Sequence, residues 1–118
     1  MPRQISKTTR RALRRGNAAA SVPYEPFLIE RLKDPAEAAA YLEAVLEDGD
    51  QATIMLALRQ VAQAQGGLAR VARKAHLTRE ATYKMLSKSG NPELRSLSAV
   101  LKATGLRISV KPIEKQAV

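Results

Sequence analysis

The chain has 118 residues, 45% of them hydrophobic and only 3% aromatic, which suits one small domain with an aliphatic core. It has no Cys, which excludes disulfides and thiolate metal sites, and its single His, His76, cannot join other histidines around a metal. No apolar run approaches the roughly 18 residues that a membrane-spanning helix needs, and the net charge of +9 points to a polyanionic partner.

The layout of the charge says more than its size. Residues 1–22 carry Arg3, Lys7, Arg10, Arg11, Arg14 and Arg15 without an acid. Residues 23–50 set eight acids against Arg31 and Lys33, and residues 51–118 set twelve bases against Glu80, Glu93 and Glu114. A basic, acidic, basic order suggests two kinds of partner, one acidic and one basic.

In chain order, residues 1–22 have only Ile5, Leu13 and Val22 as large aliphatics after Met1, and read as a disordered basic arm. Residues 23–34 read as a linker in which Phe27, Leu28, Ile29 and Leu32 dock a helical turn or two on the body. A compact domain is expected over 35–113, followed by a tail at 114–118. Asp34-Pro35 is an N-cap followed by proline at the first helical position, and predicts a helix over 35–48. Its apolar face is Ala38, Tyr41, Leu42, Val45 and Leu46. Asp50 caps the next helix, 51–65, whose broad apolar stripe makes it the most buried. Gly66-Gly67 ends it. Short helices are expected over 68–75 and 79–87, joined by a tight turn at Ala75-His76-Leu77, with Thr78 as the second N-cap. Asn91-Pro92 predicts a last helix over 92–104 with Leu94, Leu97, Val100 and Leu101 inside and Gly105 as its stop. Leu106, Ile108 and Val110 alternate with Arg107, Ser109 and Lys111, which predicts a short strand. The expected fold is therefore all-α, a compact lambda-repressor-like helical bundle with a C-terminal β-strand.

The two short helices meet the demands of a helix-turn-helix, which presents its second helix to the DNA major groove. Ala72 is small enough for the helix contact, and Val71, Leu77, Met85 and Leu86 can hold the pair to the body. The turn needs a residue at positive φ, here His76, at a cost of roughly 1 kcal/mol. Thr78, Arg79, Glu80, Tyr83 and Lys84 then face outward. Arg79 suits a bidentate guanine contact, Tyr83 a phosphate or thymine methyl, and Lys84 and Lys88 phosphates. Gly67, Arg70, Arg73 and Lys74 would add phosphate contacts from the first helix.

The stretches AAAYLEAVLEDGD, LALRQVAQAQGG and LTREATYKMLSKSGNPELRSLSAVLKATGLRISVKP resemble the HigA-like addiction-module antidote proteins. These are antitoxins of type II toxin–antitoxin pairs with an Xre/Cro-type helix-turn-helix. The resemblance covers roughly residues 25–112 and is most specific from Leu77 to Gly105, with Tyr83, Leu86 and Gly90-Asn91-Pro92. It implies a protein of the bacterial cytoplasm that silences a RelE/HigB-like mRNA-cleaving toxin and represses its own operon on double-stranded operator DNA. The Arg-rich, acid-free start also has the composition of an organelle transit peptide, against which the resemblance argues. Three positions depart from the family pattern: His76 replaces a usual Gly, Thr82 a usual larger apolar residue, and the arm is longer and more basic.

Because such toxins bind RNA and are usually basic, the acids Glu37, Glu43, Glu47 and Asp48 are candidate toxin contacts; a solvated helix face is the plainer reading. Leu106, Ile108 and Val110 are candidates for a homodimer formed by strand pairing, which would set two recognition helices about one DNA turn apart. The arm either tracks phosphates or is a solvated tail. Two further readings stay open: a stand-alone Xre-type regulator without a toxin, and an interaction module that has lost DNA binding. An enzyme is not expected, since the sequence has no Gly-rich phosphate loop, metal-ligand cluster or nucleophile beside a base, and no cofactor or membrane is implied.

Overall fold

The structure, a computed structural model, describes residues 24–114. The basic arm 1–22 and residues 115–118 lie outside the described residues. Six helices follow one another: α1 Tyr24–Arg31, α2 Pro35–Asp48, α3 Gln51–Ala64, α4 Leu68–Lys74, α5 Arg79–Met85 and α6 Leu94–Ala103.

Local chemistry sets the helix starts. Asp34 accepts a hydrogen bond from the Ala36 amide at 3.0 Å, ahead of Pro35 at the first position of α2. Asp50 accepts from the Thr53 amide at 2.9 Å to open α3. The stops are equally specific. α3, α4 and α6 all end in the Schellman arrangement, in which a residue at positive φ lets two amides turn back onto the last carbonyls. For α4, the Leu77 amide donates to the Ala72 carbonyl at 2.9 Å and the His76 amide to Arg73 at 3.2 Å. The positive-φ residue is Gly66 in α3 (φ 104°), Gly105 in α6 (φ 88°) and His76 in α4 (φ 61°). The chain thus uses glycine at two equivalent positions and a strained His at the third. His76→Gly should stabilise the domain by about 0.5–1 kcal/mol, after the entropy that glycine brings to the unfolded chain. Thermal unfolding should then show a melting temperature raised by about 4 °C.

The core explains the arrangement. α3 is the central helix and packs against α1, α2 and α4. It buries Met55, Ala57, Leu58, Val61 and Ala62 in one cluster with Leu28 of α1, Leu32 just beyond it, Leu42 and Val45 of α2, and Val71 of α4. Each fully buried Leu or Val contributes about 1.5–3 kcal/mol. Gln60 is buried among them but satisfied: the Tyr41 hydroxyl donates to its Oε1 at 2.5 Å, and its Nε2 donates to Glu25 Oε2 at 3.0 Å. That chain ties α2, α3 and α1 together. α4 packs on both α5 and α6, so the second half of the domain hangs on a seven-residue helix.

Several expectations change. Among the described residues no strand forms, and Leu106 to Val110 is extended chain without ladder bonds. A strand needs a partner strand, and the Leu106 amide instead closes the α6 cap on the Leu101 carbonyl at 2.9 Å. Of the alternating residues only Leu106 packs against the core, while Ile108 is 41% and Val110 92% exposed. α6 begins at Leu94 rather than after Asn91, with Glu93 at the cap and no side-chain cap bond. Asn91-Pro92 belongs to the preceding loop. Leu94 is consequently exposed, as are Phe27 on α1 and Leu46 on α2.

Candidate nucleic-acid interface

The interface is built on α4, the turn 75–78 and α5. Ala72 is 1% exposed, and its small side chain permits the close approach of α4 and α5. Val71 and Leu86 are fully buried, while Leu77 and Met85 are partly buried against the same cluster. Thr82 fills the position where a larger apolar residue was expected, and it is fully buried. Its hydroxyl donates to the Thr78 carbonyl at 2.9 Å, so no polar atom is left unsatisfied there. The Thr78 hydroxyl accepts from the Ala81 amide at 3.0 Å, which fixes the first turn of α5.

On the outer side, Thr78, Arg79, Glu80, Tyr83 and Lys84 are all exposed, and Lys88 lies in the turn beyond α5. The Arg79 guanidinium carbon stands 5.5 Å from the Tyr83 ring centroid, a cation–π contact one helical turn apart. Thr78 is committed to capping, which leaves Arg79 as the leading donor at the front of the helix. On α4, Arg70, Arg73 and Lys74 are exposed, and the Arg70 stem lies against Gly66, whose added Cβ would stand 2.4 Å from Arg70 Cδ. Gly67 departs from the expectation. Its own amide donates to the Ala62 carbonyl at 2.9 Å and is not offered outward.

The ion pairs among the described residues lie away from this face. Arg31 pairs with Glu37 at 2.7 Å, Lys33 with Glu30 at 3.0 Å and Lys111 with Glu43 at 3.3 Å. Among the described residues, Arg70, Arg73, Lys74, Arg79, Lys84 and Lys88 have no acidic partner, as is also true of Arg59, Arg95, Lys102 and Arg107 elsewhere. Six cations are thus gathered on α4, α5 and the turn after it without an acid to hold them.

The acidic candidates behave differently. Glu37 and Glu43 already hold bases of this chain. Glu47 stands in the last turn of α2, which has no basic residue. That end of a helix carries partial negative charge, so an acid there costs about 0.3–1 kcal/mol. Glu43 and Glu47 also repel each other one turn apart.

Sequence reasoning missed two polar ties to this face. The half-buried Arg59 of α3 donates from Nη1 to the Leu86 carbonyl at 2.6 Å, and Gln51 Nε2 donates to the Gly90 carbonyl at 2.6 Å. Arg59 is the only charged residue in α3, and that isolation was its signal.

The described residues define a small all-helical protein with a basic two-helix face and an acidic helix, and no helix among them is long and apolar enough to cross a membrane. Comparison with known proteins gives the family. The family model described as probable addiction module antidote protein matches residues 25–112. An uncharacterized protein of Haemophilus influenzae is 34% identical over 82 residues, which cover 70% of this chain and 84% of that protein. No solved structure matches. The chain belongs to the addiction module antidote family.

Proposed function

We propose that this chain is the antitoxin of a type II toxin–antitoxin pair, which silences a RelE/HigB-like mRNA-cleaving toxin and represses its own operon. α4 and α5 act as an Xre/Cro-type helix-turn-helix, with α5 in the major groove of operator DNA. The observation that carries the DNA half is the set of uncompensated cations at Arg70, Arg73, Lys74, Lys84 and Lys88. Phosphates supply the missing negative charge and release counterions in doing so. Arg79 reads a guanine edge, oriented by Tyr83.

Family membership supports the toxin half, and Glu47 at the unfavourable end of α2 supports an electrostatic contact with a basic toxin. Two copies meeting through the exposed Ile108 and Val110 would match a two-fold operator. Co-expression with the gene beside this one tests the antitoxin role. The neighbour alone should arrest growth, and this chain should restore growth and co-purify with it. A neighbour that is harmless, or whose toxicity this chain does not relieve, contradicts the reading.

A further inference from the structure

The helix proposed to read DNA packs chiefly on α4, not on the central α3. Among the described residues, its polar ties to α3 come at its exit. Arg59 Nη1 donates to the Leu86 carbonyl and Gln51 Nε2 to the Gly90 carbonyl, both at 2.6 Å. Leu86 is the C-cap of α5, where unsatisfied carbonyls concentrate negative charge. A guanidinium there makes a charge-assisted bond to the helix end as a whole. Arg59 makes no ion pair among the described residues, and the Leu86 carbonyl is the acceptor it holds. Thr82 makes such a tie useful. It is fully buried, but its hydroxyl is spent on the Thr78 carbonyl of its own helix, so only its methyl group is left to pack α5 against the core.

We infer that Arg59 is a positioning residue for DNA recognition: from α3 it grips the carbonyl end of α5 and sets the angle at which Arg79 meets the bases. This rests on the reading that α5 enters the major groove. Arg59 does not itself touch DNA. Its loss therefore lowers specificity and leaves the electrostatic component of binding intact.

The test uses the full chain and two labelled duplexes of equal length, one from its own upstream region and one of scrambled sequence, over a range of salt. Arg59→Met keeps the stem and removes the donor, whereas Arg59→Lys keeps a single charged donor. Arg59→Met should weaken upstream binding by about tenfold. It should leave scrambled binding and the salt slope as in the wild type, and Arg59→Lys should recover most of the loss. Amide hydrogen exchange on the free protein should show faster exchange at Thr82 to Leu86 in Arg59→Met, with α2 unchanged. Unaltered discrimination together with unaltered α5 exchange overturns the inference. So does a salt slope smaller by about one, which would mark Arg59 as a direct phosphate ligand. If the wild type fails to distinguish the two duplexes, the DNA reading fails by itself, and the exchange measurement still decides whether Arg59 holds α5.

Discussion

Replacing Arg79 with Ala is expected to weaken binding to the operator by about tenfold to a hundredfold, from the roughly 1–3 kcal/mol that a bidentate guanine contact discriminates. Arg79 stands in the first turn of α5, which the Thr78 cap fixes at 3.0 Å from the Ala81 amide. Its guanidinium is already placed over the Tyr83 ring, 5.5 Å from the centroid, so little side-chain freedom remains to be lost on binding. The loss should be confined to sequences with a guanine at the contacted position. Arg79→Lys should restore little of it, because an ammonium lacks the planar two-donor fork. A mobility-shift titration against operators substituted one base pair at a time measures this. Equal losses at every position, including guanine-free variants, would assign Arg79 to the phosphates instead. Lys84→Ala is the contrast, with a uniform loss and a salt slope reduced by about one.

The second large effect concerns stability. A Cβ placed on Gly90 would stand 2.0 Å from the Met85 carbonyl oxygen and 2.7 Å from the Met85 carbonyl carbon. Both atoms are backbone at the end of α5, so no side chain can swing aside. The same glycine accepts the Gln51 hydrogen bond, and its amide donates to the Ser87 carbonyl at 2.8 Å. Gly90→Ala must displace the whole exit of α5. It is expected to cost about 3 kcal/mol, a drop in melting temperature of roughly 10–20 °C for a domain of this size. Lys88→Ala, two residues away and exposed, should change stability by no more than about 0.5 kcal/mol. Calorimetry on the two variants checks the contrast; a Gly90→Ala protein as stable as the wild type would contradict the close approach.

What the sequence revealed was mostly local. Asp34, Asp50 and Thr78 cap helices because capping depends on residues two or three apart. The positive φ of His76 followed from the shortness of the turn, and the burial of Ala72 from the need for two helices to touch. Non-local features were harder to read. The bonds from Arg59 to Leu86 and from Gln51 to Gly90 span 27 and 39 residues, and nothing in either neighbourhood announces the partner. The need for glycine at Gly90 comes from a carbonyl five residues back rather than from positive φ. Asn91-Pro92 has the chemistry of a helix start, yet the chain uses it in the loop before α6. The alternation at Leu106 to Val110 marks residues able to pair as a strand, but pairing needs a second strand that these residues do not find among the described residues. Of the proposed site, the outward placement of Arg79, Tyr83 and Lys84 was legible from helical periodicity. Which cations find an acid was not legible, because it depends on contacts such as Lys111 with Glu43 that join residues far apart in the chain.

The central claim is that the unpaired cations of α4 and α5 surround a sequence-reading helix. Its most direct test is an anisotropy titration of the full chain against its own upstream duplex and a scrambled duplex at one fixed salt concentration. The upstream duplex should bind at least about a thousandfold more tightly, the lower range for specific over non-specific recognition. Equal affinity for both duplexes would contradict it.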